Sequence, residues 1–157
     1  MSQSDWERSR AAEPASGPEA FAAGTLRLPA RPSYLGLVGL FVQWFGDRAG
    51  LSREKCHELE VAVDEVCTNV IRHASGQGTA GEMTVVCSPF EGGLRVAVAD
   101  HGRPFDPAEA ARIADRKRSQ DPPSGGMGLL LVRRLTDAME YQWNQGEGNR
   151  LTLTKHK

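Results

Sequence analysis

With 157 residues, 39 per cent hydrophobic and 25 per cent charged, the chain is long enough to bury one core and has an ordinary globular composition. Nineteen Lys and Arg stand against 20 Asp and Glu, and this net charge of −1 excludes a global electrostatic pull toward nucleic acid or an anionic membrane. Three cysteines, odd in number and never closely paired, exclude a disulfide framework or a zinc site and fit a reducing compartment.

Residues 1–24 are rich in Ala, Glu, Ser, Pro and Arg without periodicity, and read as a mobile tail ahead of one domain over 25–157. The tail lacks the basic-then-apolar layout of a secretion signal, and the longest apolar run, Leu35 to Phe45, contains Gln43 and is too short to span a bilayer. A soluble cytoplasmic protein is the expectation. Thr25 to Pro29 alternates and predicts a short edge strand ended by proline. Pro32 to about Ala49 predicts a helix that is apolar over more than one face, either buried beneath a neighbour or exposed as an association surface. Gly50 breaks it, and Ser52 is placed to cap a second helix.

That second helix runs through Leu59, Val63, Val66 and Val70, an apolar stripe at three- and four-residue steps. Glu65 and Asn69, four residues apart, share its flank. A carboxylate and a carboxamide there read either as a solvated polar edge or as a pocket wall, one group taking a proton and the other offering oxygen to a hard cation. Ser75 to Gly81 predicts a loop. Glu82 to Phe90 and Gly93 to Asp100 predict a hairpin that delivers Asp100 at a strand end, with Gly102 after it. Asp-x-Gly reads as a turn, or as a carboxylate facing an exocyclic amine beside a residue with no side chain to block a flat ring. Pro107 to about Arg116 predicts a short helix, and Arg116 to Ser124 a mobile basic stretch. Gly125-Gly126-Met127-Gly128 opens an apolar helix, where bare N–H groups and the helix dipole attract negative charge. Met139 to Asn144 and Arg150 to Thr154 predict a closing hairpin. Strands segregated from helices give an α+β architecture, an antiparallel or mixed sheet with helices on one face.

Glu65-x-x-x-Asn69, Asp100-x-Gly102 and Gly125-Gly126-x-Gly128 follow one another in a short chain. Together they resemble the three nucleotide boxes of the gyrase, histidine-kinase and MutL-type (GHKL) ATPase superfamily. The stretches Ala62 to Ala74 and Gly128 to Asp137 look most like its anti-sigma-factor serine/threonine kinase branch. The resemblance covers about Thr25 to Lys155 and implies a two-layer Bergerat-type α/β sandwich with a mixed, mostly antiparallel sheet. It implies Glu65 as general base, Asn69 as magnesium ligand, Asp100 and Gly102 at adenine, Gly126 and Gly128 at phosphate, and Thr152 in the adenine-side network. Asp106 to Ser124 would be the lid, with Arg116, Lys117 and Arg118 either on the terminal phosphate or solvated. Pro104 replaces a glycine found in much of the superfamily, a variant tolerated in the serine-kinase branch. The implied activity is ATP- and magnesium-dependent phosphorylation of a small anti-anti-sigma (STAS-type) protein by a homodimer that also holds a sigma factor. Two other readings are a nucleotide-gated partner-binding module without transfer and a detached histidine-kinase ATPase domain.

Overall fold

The computed structural model describes residues 22–75, 81–104 and 127–157. Its elements, in chain order, are β1 (Gly24–Pro29), a one-turn 3-10 helix (Pro32–Tyr34), α1 (Leu35–Arg48), α2 (Arg53–Ser75), β2 (Glu82–Phe90), β3 (Gly93–Asp100), α3 (Met127–Leu135), β4 (Ala138–Asn144) and β5 (Gly148–His156). The five strands form one sheet in the order β1-β2-β3-β5-β4, and every pairing is antiparallel. The α+β sandwich expected from the sequence is the architecture found, with a wholly antiparallel sheet. The expected short helix after Pro107, the basic stretch, the loop residues 76–80 and nearly all of the tail lie outside the described residues.

Period-two alternation gives the sheet one apolar face. Met83, Val85 and Cys87 of β2 lie opposite Asp100, Val98 and Val96 of β3, and these in turn lie opposite Asn149, Leu151 and Leu153 of β5. Met139 and Tyr141 of β4 extend the rows and pack against the core. The helices cover this face. In α2, Leu59, Ala62, Val63 and Val66 are almost fully buried, as the helical stripe requires. Burying each of the larger side chains contributes about 1.5–3 kcal/mol.

Helix α1 presents Val38, Val42 and Phe45 inward, while Leu37, Leu40 and Trp44 are exposed on its other face. Of the two readings offered for its apolar excess, one face satisfies the first and the other remains open. The Arg48 guanidinium lies 4.5 Å from the centre of the Trp44 ring. The helix ends in a paired-bond cap: Leu51 N–H donates to Gly46 O at 3.0 Å and Gly50 N–H to Asp47 O at 3.0 Å, with Gly50 at φ +81°. Ser52 then caps α2 as expected, its Oγ accepting from Lys55 N–H at 3.3 Å.

A buried cation ties the layers together. Lys155 of β5, 6 per cent exposed, donates to Leu135 O at the C-terminus of α3 at 2.8 Å and pairs with Glu58 of α2 at 2.6 Å. The three cysteines are free and buried. Among the described residues no helix is long and apolar enough to cross a membrane.

Candidate active site

A cleft of about 480 Å³, counting its open mouth, lies between α2 and the strand ends. Helix α2 contributes Val66, Asn69, Val70 and His73, one helical face at three- and four-residue steps. Opposite it, β3 contributes Val98 and Asp100, with Arg103 just beyond. Leu151 and Asn149 of β5, Tyr141 of β4 and Leu129 of α3 complete the lining. The apolar side chains suit a flat ring; Asp100 and Asn69 set polar groups on opposite walls.

Asp100 is held by its neighbours. Its Oδ1 accepts from Gly102 N–H at 2.7 Å and from Asn149 Nδ2 at 3.2 Å. The same Asn149 Nδ2 donates to Arg103 O at 2.9 Å, and Tyr141 OH donates to Asn149 Oδ1 at 2.6 Å. The approach of β5 to Asp100 depends on Gly148, whose φ of +79° disfavours a side chain and whose Cβ, if present, would strike the Asp100 carbonyl.

Glu65 sits one helical turn before Asn69, half-buried, and meets the start of α3. A Cβ on Gly128 would overlap Glu65 Oε2, so the glycine is what lets the helix N-terminus approach the carboxylate. The arrangement brings a carboxylate, a carboxamide and a helix N-terminus together, a combination able to accept a proton and to favour an anion. Among the described residues no group of three or more His, Cys, Asp or Glu is placed to hold a metal. A cation here would draw on the Asn69 oxygen and on oxygens brought by the ligand, a donor set suited to a hard ion such as magnesium.

Of the residues expected at the site, Asn69 and Asp100 line this cleft, Gly102 is bonded to Asp100, and Glu65 and Gly128 meet beside it, next in the chain to the lining residues Val66 and Leu129. Gly126, with Arg116, Lys117 and Arg118, lies outside the described residues. Thr152 pairs with Ala97 and Glu140 on the sheet face turned away from the helices and does not line the cleft, whereas Asn149 lines it and bonds Asp100. Sequence reasoning missed Asn149 and Tyr141, although one signal was available: Leu151 and Leu153 alternate as core residues, which puts position 149 on their face and position 152 on the other. No such local signal exists for Tyr141.

Burial pushes the Cys67 thiol up to about 12, with Asp64 adding to the effect, and burial raises Cys87 as well. Neither thiol lines the cleft. They are packing groups and not nucleophiles.

The family described as "Histidine kinase-like ATPase domain" matches residues 28–155. The serine-protein kinase RsbW of Listeria innocua is 35% identical over 141 residues, covering 84% of this chain and 85% of that protein. The serine-protein kinases RsbW of Bacillus velezensis and Bacillus licheniformis are 33% and 32% identical, each covering 77% of this chain and 78% of their own length.

Proposed function

The chain belongs to the histidine kinase-like ATPase family, in the branch of the RsbW serine-protein kinases, and from that premise we propose that its cleft serves ATP-dependent phosphorylation of a protein hydroxyl. The protein is an ATP-dependent serine/threonine kinase acting as an anti-sigma factor. Its substrate is a small anti-anti-sigma domain of the STAS type, and its second partner is a sigma factor that it sequesters. It works in the cytoplasm as a homodimer. One observation supports this reading above the others: the start of α3 at Gly128 abuts the Glu65 carboxylate, one helical turn from Asn69.

In the proposed reaction the substrate hydroxyl oxygen forms a bond to the γ-phosphorus of ATP as the bond from that phosphorus to the bridging oxygen breaks. ADP is the leaving group, and the hydroxyl proton passes to Glu65. Asp100 accepts from the adenine amine, with Gly102 keeping the ring's approach clear. Gly128, with Gly126, offers backbone N–H groups to phosphate oxygens. Asn69 would hold magnesium through its carboxamide oxygen, and the ion would supply positive charge against the phosphates. The protein contributes positioning and charge complementarity.

The test uses tagged protein to capture partners from a lysate of its source organism, followed by magnesium and γ-labelled ATP, with Glu65→Gln in parallel. Label appears on a small captured protein with the parent and is absent with the variant, while the two bind ATP within about tenfold of each other. Transfer by Glu65→Gln at the parent rate would remove Glu65 from the base role. Captured partners that stay unlabelled despite ATP binding would replace the kinase with a nucleotide-gated binding module.

A further inference from the structure

The polar chain behind Asp100 crosses three strands. Asp100 of β3 lies directly opposite Asn149 of β5, and Tyr141 of β4 lies diagonal to Asn149 on the same face, paired with Leu151. An aromatic side chain spans that diagonal. The orientation of the Asn149 amide follows from its surroundings. Two acceptors, Asp100 Oδ1 and Arg103 O, face one end of it at 3.2 and 2.9 Å, and only an NH2 group can serve both. The amide oxygen must then face Tyr141, whose hydroxyl donates to it at 2.6 Å. Gly102 N–H occupies the remaining acceptor direction of Asp100 Oδ1 at 2.7 Å. Among the described residues Asp100 Oδ2 accepts from no donor, which leaves it to meet a donor in the cleft.

We propose that Tyr141 and Asn149 are positioning residues that set the base preference of the cleft. Tyr141 fixes the Asn149 amide, the amide and Gly102 fix Asp100, and the fixed carboxylate favours a purine bearing an exocyclic amine over one bearing a carbonyl at that place. The proposal rests on the nucleotide reading of the cleft and adds to it the residues that enforce selectivity. Without the tyrosine hydroxyl the amide keeps its NH2 toward Asp100 and Arg103, but Asn149 Oδ1 loses the donor that Tyr141 supplies, so the amide and the carboxylate it steadies are held less firmly.

Calorimetry on the full chain with ADP, inosine diphosphate and the diphosphate of purine riboside, which has no exocyclic amine, tests this. The parent prefers ADP. Tyr141→Phe keeps the ring and removes only the hydroxyl; it weakens ADP about threefold to tenfold and leaves the purine riboside diphosphate within about twofold. Asn149→Ala loses the same preference, and the double variant is no worse than Asn149→Ala alone, because the two residues act in series. If Tyr141→Phe weakens all three ligands by one factor, or none of them, the relay is overturned while nucleotide binding stands. If the parent binds all three alike, the base preference and the relay are overturned while nucleotide binding stands; if the parent binds no nucleotide, the nucleotide reading falls and the relay with it.

Discussion

Replacing Lys155 by Met removes one charge from the interior while keeping an unbranched side chain that is one atom shorter. The ammonium now serves two groups, Leu135 O at 2.8 Å and Glu58 at 2.6 Å, and the lysine side chain is 8 per cent exposed against 33 per cent for Glu58. Breaking a buried pair by removing one partner costs about 3–5 kcal/mol. Here the surviving carboxylate is one-third exposed and can turn to water, which lowers the cost. The Leu135 carbonyl loses a charge-assisted hydrogen bond, and methionine fills the space without desolvating a charge. The sum is about 2 kcal/mol, equivalent to about 4–8 °C in Tm for a chain of this size. Thermal and urea unfolding followed by circular dichroism measure it, with Glu58→Gln and the double variant completing a cycle. The coupling between positions 58 and 155 comes to about 1 kcal/mol or more. A Tm for Lys155→Met within 1 °C of the parent's, to the order of measurement error, would show that the cation contributes nothing net, and additive single effects would show that the pair is not an energetic unit. The consequence reaches the cleft, because α3 carries Gly128 at its other end.

Gly128→Ala separates stability from chemistry. The added methyl overlaps Glu65 Oε2, so the carboxylate must leave its rotamer at about 0.5–1.5 kcal/mol, a cost that the better helix propensity of alanine, up to about 1 kcal/mol, roughly offsets. Tm stays within about 3 °C while phosphate transfer falls about 100-fold; undiminished transfer would show that the fit between Gly128 and Glu65 is not needed. The thiols give a prediction that needs no substrate. With Cys67 pushed up to about 12, about one molecule in ten thousand carries its thiolate at pH 8, so Ellman's reagent leaves the native protein unlabelled and labels it after denaturation. A rapidly labelled native thiol would contradict the burial found for all three cysteines. Unfolding returns Cys67 toward its ordinary value of 9.0, so the unfolded chain releases that proton first. Its contribution therefore lowers stability as pH rises from about 9 toward 12, and the urea midpoint falls more steeply there for the parent than for Cys67→Ala.

The elements were legible because the forces that choose them are local. Alternation over Glu82–Phe90 and Gly93–Asp100, the stripe through Leu59, Val63 and Val66, and the Ser52 cap each depend on neighbours within one turn or two strand positions. The split of the first helix into a 3-10 turn and α1 was less legible, since helix starts depend on where the chain enters the core as well as on Pro32. Motif order nominated Glu65, Asn69, Asp100, Gly102, Gly126 and Gly128; among the described residues Asn69 and Asp100 line the cleft, with Gly102 bonded to Asp100 and Gly128 against Glu65.

By itself the sequence determined the type of each element, which face of it is apolar, and a set of chemically able groups at element ends. Even Asn149 was within reach, since alternation with Leu151 and Leu153 assigns it to the core face and sends Thr152 to the other. Only the tertiary structure decided that β5 lies between β3 and β4, which brings Asn149 to Asp100 across 49 residues of chain and Tyr141 to Asn149. It also decided that the cation at Lys155 closes the C-terminus of α3. The reason is physical: side-chain periodicity is set by backbone geometry within a few residues, whereas strand order and register come from pairings between distant segments, each selected by how well the whole apolar face is buried.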